Sequence, residues 1–186
     1  MPVQLLRRCF TVKEYHKMAQ AGILSEDDRV ELIEGEIVEM MPIGSGHAAC
    51  VNRLNQLLSE RVGNLAIVSV QNPIYLGERS EPQPDLALLK PEPGFYATAH
   101  PGPEDVLLVV EVAETSPDYD REVEVLLYAR AGVPEVWLVD LQGDKIETYR
   151  KPSSQGYSQV RRARRGQRVT LETFPALELS VEEILG

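Results

Sequence analysis

Glu104–Asp140, EDVLLVVEVAETSPDYDREVEVLLYARAGVPEVWLVD, decides the fold. Val106–Val112 is a nearly unbroken apolar run of strand length, rich in β-branched residues, as expected for a central strand covered on both faces. Strand alternation points Val106, Leu108, Val110 and Val112 one way and Leu107, Val109, Glu111 and Ala113 the other. One carboxylate, Glu111, therefore interrupts an apolar face near the strand's end. A polar loop with Pro117 follows, then a helical segment from about Tyr119 to Ala131, stopped by Gly132. A second apolar run, Val136–Val139, ends at Asp140. A strand, helix and strand in this order predict a parallel pair joined by a crossover.

Outward from this unit, Thr11–Gly22 reads as a short helix, with Thr11 and Glu14 at capping-box spacing and Gly22 as the stop. Arg29–Met40 alternates on both sides of Glu34-Gly35, which predicts a β-hairpin whose turn uses glycine for positive φ. His47–Val62 places Ala48, Val51, Leu54, Leu58 and Val62 at helical spacing. Leu65–Val70 and Gln83–Leu89 are strand candidates, the second opened by Pro84 with Asp85 at its entrance. Pro91–Pro103, rich in Pro and Gly, predicts an irregular loop or flap. Asp144–Arg150 and Tyr157–Arg161 read as antiparallel strands joined by Lys151–Gly156, and Leu179–Leu185 as a closing helical turn.

The chain of 186 residues is 43% hydrophobic and 26% charged, which fits one soluble globular domain over residues 1–186. No apolar run reaches the length of a membrane span and Met1–Val12 has no secretory core, so a cytoplasmic protein with no membrane partner is expected. Cys9 and Cys50 lack metal-ligand spacing and read as reduced thiols. A net charge of −10 opposes unassisted attraction to nucleic acid. Against that balance stands Arg161-Arg162-Ala163-Arg164-Arg165, with Arg168 beyond, which reads as a solvated hairpin turn or as a phosphate-contacting patch.

Asp85 and Glu111 stand on two strands separated by the flap-like loop. If those strands are neighbours, both carboxylates converge on one hard cation, and Mg²⁺ needs little more than two acids, water and substrate oxygens. The alternatives are a turn residue after proline for Asp85 and an arginine-paired carboxylate for Glu111. Trp137 reads as core or dimer-interface packing.

Glu31-Leu-Ile-Glu-Gly-Glu, His47 opening a helix, Pro84-Asp85, Val110-Glu111-Val112, Tyr119-Asp120-Arg121, Leu127-Tyr128-Ala129 and Ala131–Asp140 form an ordered set. Together they resemble the bacterial putative restriction endonuclease family, a domain of unknown function in the PD-(D/E)XK nuclease-like superfamily. The resemblance spans roughly Thr11 to Tyr149. It implies an α/β fold with α+β-like character, a mixed restriction-endonuclease-like sheet flanked by helices. It also implies hydrolysis of DNA phosphodiester bonds with Mg²⁺ or Mn²⁺. Asp85 and Glu111 match the metal-binding acids, Glu31 an additional acid, and His47 a family histidine that is otherwise a cap-region or surface residue. A homodimer is expected, since a two-stranded substrate is met from both sides.

One position departs from the pattern. The superfamily places a lysine two residues after the glutamate, where it helps orient or activate the attacking water; here it is Ala113. In the resembling family the lysine commonly lies on the following helix, four residues after Asp120; here it is Glu124. Lys90 does not replace it, because alternation turns residue 90 away from the face of Asp85, Ala87 and Leu89. The expected function is a metal-dependent endonuclease impaired by this loss, with Glu124 inside its site. The alternative is an inactive nuclease-like protein acting in DNA binding or assembly.

Overall fold

The computed structural model describes residues 7–25, 27–114 and 120–186, with the side chain of Asp120 outside that description. Met1–Leu6, Pro117 and Tyr119, which figure in the sequence reading, lie outside the described residues, as does any role of the Asp120 side chain.

The elements are α1 (Val12–Gln20), the hairpin β1 (Val30–Ile33) and β2 (Glu36–Glu39), α2 (Ser45–Val62), β3 (Ile67–Val70), β4 (Leu86–Leu89) and β5 (Val106–Ala113). A π turn (Asp120–Glu124) then leads into α3 (Val125–Ala131), followed by β6 (Glu135–Asp140), β7 (Lys145–Ser153), β8 (Gly156–Arg164), β9 (Arg168–Thr170), β10 (Glu178–Ser180) and α4 (Val181–Leu185). The main sheet has six strands in the order β3-β4-β5-β6-β7-β8. Within it β5 and β6 are parallel and the other pairs antiparallel. The chain is thus a mixed α/β structure, with the crossover unit at its centre.

Each face of the sheet buries one cluster. Leu108, Val110, Val112, Trp137, Val139 and Ile146 pack under α2, α4 and the β9–β10 ribbon, with Leu54, Leu58 and Ile184 wholly buried among them. On the other face Val109, Ala113, Val136 and Leu138 pack under Val125 and Tyr128 of α3. Both faces of β5 and β6 are covered, which is why their sequences are apolar almost throughout.

Thr11 caps α1 through the capping box with Glu14. Glu34 and Gly35 have φ of 49° and 86°, the paired positive values of a tight hairpin turn. A Cβ at residue 35 would lie 2.6 Å from that of Cys9, so glycine is required there for space as well as conformation. The hairpin stays outside the main sheet and joins the body through the Leu32–Glu81 bridge.

Several boundaries and faces differ from the sequence reading. α2 begins at Ser45, making His47 its third residue. β4 begins at Leu86, so Pro84 and Asp85 lie just before it. The β7–β8 hairpin is longer than expected, with Pro152 paired to Tyr157, and Arg161–Arg164 belongs to β8 instead of a turn. Val106 lies on the Val109 face, opposite Leu108. The reason is a register shift: Leu88 pairs with Leu108 but Leu89 with Val106, leaving Leu107 as an extra residue that inverts the alternation.

Candidate active site

The end of β5 and the entrance to β4 meet between the amino end of α2 and the π turn before α3. Leu86 pairs with Val110, which places Asp85 against Glu111 and binds the two acids through the backbone. The Asp85 N–H donates to Glu111 Oε2 at 3.2 Å, and the Val112 N–H donates to Asp85 Oδ2 at 2.9 Å. His47 Nε2, reaching down from α2, lies 2.8 Å from the same Asp85 oxygen. The other oxygen of Glu111 accepts from the Tyr128 hydroxyl of α3 at 2.5 Å. Elements from both layers therefore fix two carboxylates at one end of the sheet.

Glu31 arrives from the β1–β2 hairpin, buried, and accepts the Gln83 N–H at 3.1 Å. All five sequence-selected residues, Glu31, His47, Asp85, Glu111 and Glu124, line one pocket of about 690 Å³. Glu39 and Glu114 also line it, so six carboxylates face one cavity in which Arg29 is the sole lysine or arginine among the described lining residues.

Burial pushes the Glu111 carboxyl well above the usual carboxylate range, and the charges of Glu124 and Asp85 push it further, against the opposing bonds from Tyr128 and the Asp85 N–H. Burial likewise raises Glu31, with Asp85 adding to it, although the Gln83 N–H pulls it down. Such acids supply the hard oxygen donors that Mg²⁺ or Mn²⁺ prefers, so the donor set fits a divalent ion. Among the described residues no three His, Cys, Asp or Glu side chains are grouped so as to hold a metal by themselves. Asp85 and Glu111, joined through the backbone, are the two carboxylates that would hold such an ion.

Sequence reasoning did not select Tyr128 for this role, nor Gln71, Gln83 and Glu114. Tyr128 is wholly buried, and its sequence signal is that of a core aromatic. Gln71 precedes β4 by a long irregular connection, and its amide approaches Asp85 Oδ1 at 3.4 Å. Glu114 stands against the start of α2, where a Cβ on Gly44 or Gly46 would collide with its carboxylate. No periodicity marks that contact.

No helix among the described residues is long and apolar enough to cross a membrane. A crystal structure of a putative nuclease belonging to DUF820 from Anabaena variabilis ATCC 29413 superposes with a TM-score of 0.74 at 19% sequence identity, covering 95% of this chain and 97% of that one. At that identity the likeness is one of fold, and it agrees with the mixed sheet and flanking helices. Comparison with curated proteins gives no match. The Uma2 family, described as "Putative restriction endonuclease", matches residues 12–182, and the chain belongs to that family.

Proposed function

We propose that this protein is a metal-dependent DNA endonuclease whose cleavage is slowed by the missing lysine. The observation that carries the reading is that six carboxylates, two of them raised by burial, line one cavity in which Arg29 is the sole lysine or arginine among the described lining residues. A phosphodiester is repelled by such a wall unless a cation intervenes. Asp85 and Glu111 would hold Mg²⁺ or Mn²⁺, and the chemistry supplied by such an ion is neutralisation of charge on phosphoryl oxygens. His47 keeps the Asp85 carboxylate oriented, Tyr128 does the same for Glu111, and Glu31 adds a further acceptor for water or metal. The Nζ that would stabilise a developing hydroxide is replaced by the Ala113 methyl and the Glu124 carboxylate.

A homodimer accords with this reading, because duplex DNA presents two strands related by pseudo-symmetry. Light scattering at micromolar concentration that gave only the monomer mass would remove that part. The second reading, a nuclease-like protein that binds DNA or assembles without cutting it, is favoured by the same lysine loss.

Cleavage of plasmid and single-stranded DNA with Mg²⁺ or Mn²⁺, using Asp85→Ala as control, separates the two. Slow, metal-dependent cleavage abolished by Asp85→Ala supports the endonuclease. Metal and DNA binding without any product supports the inactive form.

A further inference from the structure

The arginine cluster of β8 lies apart from the carboxylate site and has a cavity of its own. β8 is the outer strand beyond β7, and its Ala163 packs on the sheet face covered by α2 and α4. On that face β7, β8 and β9 frame a pocket of about 160 Å³ that opens to solvent. Arg150, Arg161, Arg162 and Arg168 line this space, together with Thr148 and Gln167, and no Asp or Glu is among the described lining residues. In a chain of net charge −10 this is the reverse of the active-site cavity.

The arginines are held to different degrees. Arg150 is fixed: its Nε and Nη2 donate to Glu135 Oε1 at 2.9 and 2.7 Å, and Nη2 also donates to the Thr170 carbonyl. Arg162 turns its Nε to Glu147 at 3.1 Å, on the other face. Arg161 stands opposite Thr148 in the β7–β8 register, on the cavity side with Ala163, and takes part in no ion pair among the described residues. Arg168 is 63% exposed and reaches Glu178 only at 3.7 Å. Two adjustable guanidinium forks thus face a cavity floored by a fixed one. Guanidinium forks match tetrahedral oxyanions, since each offers two parallel N–H donors. The pocket equals roughly five waters of liquid volume, room for one phosphate group with whatever it is attached to left outside in solvent.

We propose that this cavity binds a phosphate group, with Arg161 and Arg168 as the principal ligands and Arg150 and Thr148 at its base. The group comes either from orthophosphate or a small phosphomonoester, or from the phosphorylated 5′ end of a nucleic acid.

The test is thermal melting of the full chain in EDTA at constant ionic strength, with phosphate replacing chloride, and Trp137 emission followed in parallel. Trp137 is the single tryptophan, and its Nε1 donates to the same Glu135 oxygen that holds Arg150, so occupancy of the cavity alters its surroundings. The expected result is a saturable rise in Tm with phosphate that is retained in Asp85→Ala. In the double variant Arg161→Gln, Arg168→Gln, phosphate affinity should fall by about tenfold or more. Competition by a 5′-phosphorylated oligonucleotide well beyond its unphosphorylated twin assigns the group to a nucleic-acid end; competition by neither assigns it to free phosphate or a small phosphomonoester, and equal competition by both, which internal phosphodiesters alone would give, overturns the proposal. No phosphate-specific rise, or an undiminished rise in the double variant, overturns the proposal.

Discussion

The Tyr128 hydroxyl donates to Glu111 Oε1 at 2.5 Å, wholly inside the protein and across the boundary between α3 and the central strand β5. A helix residue thereby sets the orientation of a strand carboxylate whose second oxygen is already committed to the Asp85 N–H. Groups that orient a metal-binding carboxylate typically govern affinity about as strongly as a weak ligand does.

Tyr128→Phe keeps the ring and removes the donor. It should lower the affinity for Mn²⁺ about 10- to 100-fold by calorimetric titration. It should also cost about 1–3 kcal/mol of stability, because a buried carboxylate oxygen loses its partner. Unchanged Mn²⁺ affinity with the stability loss alone would make Tyr128 purely structural.

Glu124→Lys is expected to raise metal-dependent cleavage. Glu124 acts on Glu111 through its charge, so a lysine there both removes a repulsion and supplies an ammonium beside the acids. A group of this kind is worth about 10²–10⁴ in rate. Glu124→Ala should mainly change metal affinity. Robust wild-type cleavage that Glu124→Lys leaves unaltered would assign the lysine's role to another residue, and Arg29 at the pocket rim is then the next to replace.

Glu111 makes stability fall as pH rises in the absence of metal. Its folded carboxyl titrates well above the ordinary value, so the unfolded chain gives up that proton first and gains on the native state throughout the interval. Thermal melts in EDTA from about pH 5 to about pH 8 should show Glu111→Gln increasingly more stable than wild type. Mg²⁺ should close the gap by stabilising wild type alone. A gap independent of pH would mean that Glu111 is not strained by its charge.

Glu147 predicts the opposite slope in acid. Burial pushes its carboxyl up, but bonds from Tyr149, Arg121 and Lys145 overcome that and hold it at about 2. Its contribution is complete above the ordinary carboxylate range and is lost as pH falls toward about 2. Lys145 Nζ lies 3.1 Å from Glu147 Oε1, and Arg121 and Arg162 remain if it is removed. Lys145→Met should cost about 1 kcal/mol at neutral pH and move the acid-unfolding midpoint upward. An unchanged midpoint by circular dichroism would show that the arginines suffice.

The crossover unit was legible because its two strands are buried on both faces and so have continuous apolar sequences. The Glu34-Gly35 turn was legible because its backbone geometry restricts residue type. The order of acids and the family motifs were likewise written along the chain, which is why Glu31, His47, Asp85, Glu111 and Glu124 could be selected together.

Only the tertiary structure decided the rest. The inversion at Leu107 depends on β4 pairing, since a bulge is a property of two strands. The Tyr128–Glu111 bond joins residues that sequence assigns separately to a helix core and an acidic strand end. The β9–β10 ribbon is too short to carry a period and exists because Val169 and Leu179 are buried against the sheet. The arginines of β8 read from sequence as a solvated turn or a phosphate-contacting patch. Pairing with β7 instead sends alternate members to opposite faces, so that Arg162 serves Glu147 while Arg161 faces the β7–β9 pocket. Side-chain direction in a strand is local, but the object each side chain meets is set by the neighbouring strand and the layer packed above it.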